Sequence, residues 1–217
     1  MTGAEWSAIR LSFLFATLAA TIGIGYWLAR SRRSAKWIVE VIMSLPLVLP
    51  PIVTGYILLY LLSPQGPIGH FMMQMFGIKL VFTPVAAVIA ATVVSFPLLV
   101  RTVRLAFQSV DPELESAART LGTSRFSTFV RISLPLASRG LIAGWVLAFA
   151  RSLGEFGATI MVAGNIVGKT QTIPLAIFSM SGTPGGIDRS WRLVALAVLV
   201  SCAALVAEQM LERYRKT

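Results

Sequence analysis

The sequence predicts an all-α integral membrane protein of about five transmembrane helices, with its N-terminus outside and its C-terminus in the cytoplasm. Three observations carry that expectation. The 217 residues are 56% hydrophobic and only 13% charged, about half the charge density of an average soluble domain. Five apolar runs recur along the chain, each near the length of about 20 residues at which a helix crosses ~30 Å of hydrocarbon. The nineteen Lys and Arg residues sit in short clusters between those runs. That is the pattern of membrane topology and argues against a nucleic-acid partner.

Taken in order, the runs 11–29, 41–62 and 80–100 contain no charged residue. The first is followed, not preceded, by its basic cluster (Arg30, Arg32, Arg33, Lys36), so it reads as a retained anchor and not as a secretory signal. Prolines 46, 50, 51, 84 and 97 punctuate the second and third runs. They free backbone groups that neighbouring helices must satisfy, and such broken helices suit a pathway more than a plain anchor. The run 140–163 carries Arg151 and Glu155, and 191–210 closes the set. With these five spans, thirteen basic residues fall on one side and only Arg10, Lys79, Lys169, Arg189 and Arg192 on the other. The richer side is the cytoplasm. The external loop 164–189 contains a short apolar piece, Pro174 to Met180, too short to span. It reads as a re-entrant or interfacial helix capped by Thr172, with Pro174 in its first turn.

The cytoplasmic segment 111–135 holds the most regular signal. Asp111-Pro112-Glu113 is a helix start, with an N-cap, a proline in the first turn and acidic residues facing the positive end of the dipole. Leu114, Ala117, Ala118 and Leu121 follow at i, i+3, i+4 and i+7, and Gly122 stands where a C-terminal cap belongs. The product is a two-turn helix with a narrow apolar face whose alanines admit another backbone. A second short helix is expected after Ser124, with Phe126, Phe129 and Val130 on one face, ending before Leu134-Pro135. Spacing alone favours an ordinary loop helix packed on its own protein, since amphipathic loop helices are common.

The run Glu115-Ser116-Ala117-Ala118-Arg119-Thr120-Leu121-Gly122, nine further residues, and Ile132-Ser133-Leu134-Pro135 resembles the EAA loop of bacterial ABC-importer permeases. Ala117, Ala118, Gly122, Ile132, Leu134 and Pro135 are in register, whereas Ser116 occupies the family's Glu position and Glu115 lies one residue earlier. The resemblance implies a type I ABC importer permease fold. It also implies that Leu114, Glu115, Ala117, Ala118, Leu121 and Gly122 couple the chain to a cytoplasmic ATPase. The stretch 151–177 and Ser44-Leu45-Pro46-Leu47-Val48-Leu49-Pro50-Pro51 resemble the molybdate permease subfamily, with sulfate permeases similar in the former. For that family the expected assembly is a homodimer in the bacterial inner membrane. Two ATPase subunits would sit below it and a periplasmic or lipoprotein oxyanion-binding protein above. Molybdate is the expected cargo and tungstate a companion, with a sulfate permease as the alternative, since both substrates are tetrahedral dianions.

No catalytic role is expected of the chain, and no cofactor or metal. His70 is the sole histidine and Cys202 the sole cysteine, and no carboxylate cluster offers metal ligands. Gly164 to Thr170 (GNIVGKT) is one residue short of a phosphate-binding P-loop and lacks the preceding strand, so ATP hydrolysis belongs to a partner. Arg151 and Glu155, four residues apart on one expected helix, can pair within the membrane. The pair is either a structural brace or part of a gate, with Gly154 and Gly157 beside it permitting close packing or a kink. Thr159, Asn165, Lys169, Thr170, Gln171 and Thr172 are candidate polar contacts for an oxyanion, or else a solvated loop. A self-sufficient channel or secondary transporter is the rival class; it would work without nucleotide.

Overall fold

The computed structural model describes residue 17, residues 19–31, residue 34 and residues 36–213, with the side chains of 212 and 213 excepted. All regular elements among these residues are helical. They are α1 (19–30), α2 (Lys36–Val48), α3 (Pro51–Leu62), α4 (Pro67–Phe76), α5 (Pro84–Gln108), α6 (Pro112–Thr120), α7 (Arg125–Thr128), α8 (Leu134–Leu153), α9 (Gly157–Ala163), α10 (Ile173–Ser181) and α11 (Gly186–Arg213). A wide π-helical turn, Phe129–Ser133, joins α7 to α8 without a break. Three helical stretches are long and apolar enough to cross a membrane: Pro84–Gln108, Arg125–Leu153 and Gly186–Leu211. Counting the bent pair Lys36–Val48 and Pro51–Phe76 as one broken span makes four. Of the expected first span, 11–29, residues 11–16 and 18 lie outside the described residues.

Proline explains the break in the second expected span. The run 41–62 is not one helix. It stops at Val48 and restarts at Pro51, and Lys36–Val48 is bent by 108° against Pro51–Phe76. Leu49 and Pro50 each precede a proline, which disfavours helical backbone; Pro50 sits at φ −52°, ψ 133°. Pro51 then opens α3, at a position where its missing N–H costs nothing. The third span begins at Pro84 instead of residue 80, because Thr83 caps it by accepting from the Ala86 N–H at 3.3 Å. It also runs on to Gln108, past Arg101 and Arg104. The run 140–163 is divided: α8 ends at Leu153 and α9 begins at Gly157. The last helix starts at Gly186, five residues before the expected Trp191.

The helix expected to end before Leu134-Pro135 continues through both. Pro135 has no N–H, and its ring would press on the carbonyl of residue 131 in a regular α-helix. The wide turn at Phe129–Ser133 opens the backbone at that point.

The chain forms two compact units. The first comprises Met1–Val39, Leu98–Trp145 and Glu208–Thr217. Its core contains Val103, Ala106, Phe107, Val110 and Ala137, and Tyr26 meets Phe107 and Phe129 edge-on at 5.2 and 4.8 Å between ring centroids. A side chain at Gly25 would strike Val103, and one at Gly144 would strike Thr102. α1 and α8 therefore lie against α5 at backbone distance, as small residues allow between membrane helices.

The second unit comprises Glu40–Pro97 and Val146–Ala207. Leu58, Leu62, Val81, Ala86, Ala90, Val94, Ala158, Val162 and Ala163 form its core. There α3 packs along α9: a Cβ at Gly55 would lie 2.7 Å from the Ala158 Cα, and one at Gly157 would lie 2.8 Å from the Pro51 Cβ. These neighbours are backbone and ring atoms with no room to give. Gly55→Leu is expected to cost at least about 3 kcal/mol, the upper end for overpacking. The loss of folded protein would be read as the monodisperse fraction after detergent extraction.

Candidate functional site

Two regions contain the expected site residues, one in each unit. In the first, α6 has the predicted ends. The Asp111 carboxylate accepts from the Glu113 N–H at 2.9 Å, and Pro112 opens the helix. At the other end Gly122 adopts φ +88°, its N–H donates to the Arg119 carbonyl at 3.0 Å, and the Thr123 N–H donates to the Ala118 carbonyl at 3.2 Å. That double closure is the Schellman arrangement, which places its glycine in the left-handed region. Thr123 ties the turn to α7 through a hydroxyl–hydroxyl bond to Thr128 at 2.9 Å, and Ser124 caps α7 by accepting from Ser127 N–H at 3.2 Å.

The expected apolar face divides in two. Ala118 is buried within its own chain, while Leu114 is 48% and Leu121 85% exposed, and Ala117 is also open. Phe126 of α7 is 76% exposed beside them in sequence, and Phe129 instead turns inward onto Tyr26 and Phe107. Leu114, Ala117, Leu121 and Phe126 thus leave apolar surface uncovered on the segment that also carries exposed Arg119, Arg125 and Arg131. Glu115 faces the other way: its Oε1 accepts from Arg30 Nη2 at 2.7 Å, Arg30 Nε at 3.1 Å and Ser133 Oγ at 2.7 Å. Its carboxylate is held by its own chain. Arg30 and Ser133 do not stand out in the sequence, because the first is one topology charge among four and the second occupies a variable position of the motif.

In the second unit, Arg151 and Glu155 do pair, with Arg151 Nη1 3.2 Å from Glu155 Oε2, yet they do not share one helix. Glu155 lies beyond the end of α8, its N–H donating to the Ser152 carbonyl at 3.1 Å. Its Oε1 accepts from the Ala158 N–H in the first turn of α9 at 2.8 Å. A side chain 2% exposed therefore joins the last turn of one helix to the first of the next. The break falls at Gly154, which is exposed; Gly157 is buried against Pro51.

The loop after α9 closes on itself. The Ile166 carbonyl accepts from the N–H groups of Lys169, Thr170 and Gln171 at 2.9 to 3.2 Å, and Thr170 Oγ1 accepts from Ile166 N–H at 3.0 Å. Amide groups that a P-loop would aim at a phosphate are here aimed at a chain carbonyl. Gln171 Nε2 donates to Asn165 Oδ1 at 3.0 Å, and Asn165 Nδ2 donates to Ser179 of α10. Thr159 and Thr170 are buried and Lys169 is exposed, so the six candidate oxyanion contacts do not form one polar surface. Thr172 stands at the N-cap position of α10, but its hydroxyl makes no capping bond and is buried without a partner. Pro174 occupies the first turn as expected.

A family model described as "Binding-protein-dependent transport system inner membrane component" matches residues 21–215. The chain belongs to this family. The permease is 44% identical to the molybdenum transport system permease protein ModB of Escherichia coli (strain K12), over 98% of its own length and 96% of that protein. It is also 44% identical to the ModB protein of Haemophilus influenzae, over 96% and 94% of the two chains. Among solved structures, an inward-facing form of the MetNI methionine ABC transporter superposes with a TM-score of 0.64 at 17% identity, covering 97% of the permease and 99% of that chain. This last likeness establishes the all-helical type I importer fold. As a component of such a system the permease is a multi-pass inner-membrane protein, and its family works with a binding protein and an ATPase.

Proposed function

We propose that the permease carries molybdate, and tungstate by the same route, into the cytoplasm as a homodimer driven by two ATPase subunits. The observation that carries the coupling half of this reading is the uncovered apolar surface of Leu114, Ala117 and Leu121 on α6. Exposed apolar side chains on a short, rigidly capped helix fit a groove in a partner. Near full-length identity to molybdenum permeases supports the cargo. In this reading the N-terminus is outside, α6 is cytoplasmic and the loop 164–189 faces the binding protein. Gly122 sets the exit angle of α6, while Glu115 and Ala118 act from behind the docking face. The permease itself performs no chemistry.

Glu155 and Arg151 brace the broken span and sit at the gate, with Gly154 as the point of flexure. The half-helix N-terminus at α9 is already occupied by the Glu155 carboxylate, which repels a dianion there. The oxyanion instead meets Lys169, an exposed cation of the loop. The test is reconstitution of the permease with its ATPase and binding protein in liposomes. ATP turnover should rise with molybdate and tungstate but not with sulfate. Stimulation by sulfate alone, or uptake driven by a gradient without ATPase, overturns the reading.

A further inference from the structure

We propose that Glu115 is a positioning residue that carries movement of α6 into the membrane helices, through Arg30 and Ser133, and makes no contact with the ATPase. The inference rests on α6 being the docking helix. One carboxylate oxygen accepts three hydrogen bonds: from Arg30 Nε and Nη2, at the end of α1, and from Ser133 Oγ, at the end of the wide turn leading into α8. Arg30 Nη2 also donates to the Val110 carbonyl at 3.0 Å, immediately before the Asp111 cap. The guanidinium therefore grips both the approach to α6 and its first turns. Side-chain exposures are only 19% for Arg30 and 14% for Glu115, and Ser133 is fully buried. Water competes little for these bonds, and charge-assisted bonds of this kind are the strong ones.

Among the described residues the other polar ties of α6 stay local. Ser116 bonds to the Pro112 carbonyl, Thr120 to that of Ser116, and Thr123 to Ala118 and Thr128. Glu115 reaches 85 residues back to Arg30 and 18 forward to Ser133. A displacement of α6 by a partner therefore pulls on α1 and on the start of α8 through one atom. The receiving element at Ser133 is suited to respond. A π turn holds one residue more than an α turn, its hydrogen bonds are easily exchanged for the α register, and such turns are frequent at functional sites.

The experiment uses the complete transporter in liposomes and measures molybdate uptake and ATP hydrolysis together, with the ATPase retained on the purified complex as a third reading. Glu115→Gln keeps the shape and removes the charge; Ser133→Ala removes only the link to α8. Expected is normal ATPase retention, with molybdate moved per ATP falling about tenfold for Glu115→Gln and severalfold for Ser133→Ala, within the usual range of coupling between sites. A variant harmed only in folding would lose uptake and hydrolysis in proportion and keep the ratio. If Glu115→Gln fails to assemble, Ser133→Ala alone decides. An unchanged ratio in the assembled variants overturns the proposal, and so does loss of ATPase retention by folded Glu115→Gln, which would put Glu115 in the docking contact. Absence of ATP-driven molybdate uptake by the unmodified transporter would instead refute the functional reading beneath it.

Discussion

Leu121→Asp is expected to abolish ATP-driven uptake while leaving the permease folded. Leu121 is 85% exposed and follows the last turn of α6 as its C-cap, so a substitution there disturbs almost no packing, and surface changes of this kind usually stay within about 0.5 kcal/mol. In the docked state the same side chain would be buried in the partner's groove. Losing a fully buried leucine forfeits about 1.5–3 kcal/mol, and forcing a carboxylate into that apolar contact adds at least about 2 kcal/mol more. Together they weaken docking by roughly a hundredfold or beyond, at about 1.4 kcal/mol per factor of ten. The check is ATPase retained by immobilised permease, alongside uptake in liposomes. Undiminished retention would remove Leu121 from the interface and with it the proposed role of this face.

Glu155→Ala is expected to unfold the break between α8 and α9, and Glu155→Gln to spare it. The alanine variant leaves the Ala158 N–H without its acceptor and Arg151 without its counter-charge. Removing one partner of a buried pair costs about 3–5 kcal/mol; the lower end applies, because the Arg151 side chain is 33% exposed. Glutamine retains a carbonyl oxygen for Ala158 but loses the charge facing Arg151, so its cost is about 1.5 kcal/mol, the lower end for a hydrogen bond to a charged group. Thermal unfolding in detergent separates the two. If the pair gates the pathway, the glutamine variant will assemble normally and transport molybdate poorly. Equal stability of both variants would show that the carboxylate does not hold the break.

Proline and glycine positions are legible in the sequence as punctuation, yet their consequences are legible only in part. Pro50-Pro51 predicts an interruption, because Leu49 and Pro50 each stand directly before a proline ring that crowds helical backbone. The 108° size of the bend at that interruption does not follow from this local rule. Pro135 reads locally as a stop, and the wide turn before it converts the stop into a continuation. Thr172 has the right chemistry and an extended backbone for a cap, yet its hydroxyl is buried and makes no capping bond.

By itself the sequence determined the solvent, the helical class, the ends of α6 and the membership that its motif implied. Those properties depend on local composition and on residues within a few positions of one another: a carboxylate two residues before an N–H, a glycine two residues past a helix. Tertiary structure alone decided which way each side chain of α6 faces. It turned Ala118 and Glu115 inward and left Leu114, Ala117 and Leu121 open, and it made Glu155 span a break rather than a helical turn. A periodic pattern defines an apolar stripe without saying which edge the rest of the chain will cover. The partners of Glu115 lie 85 and 18 residues away, a separation across which no local rule carries information.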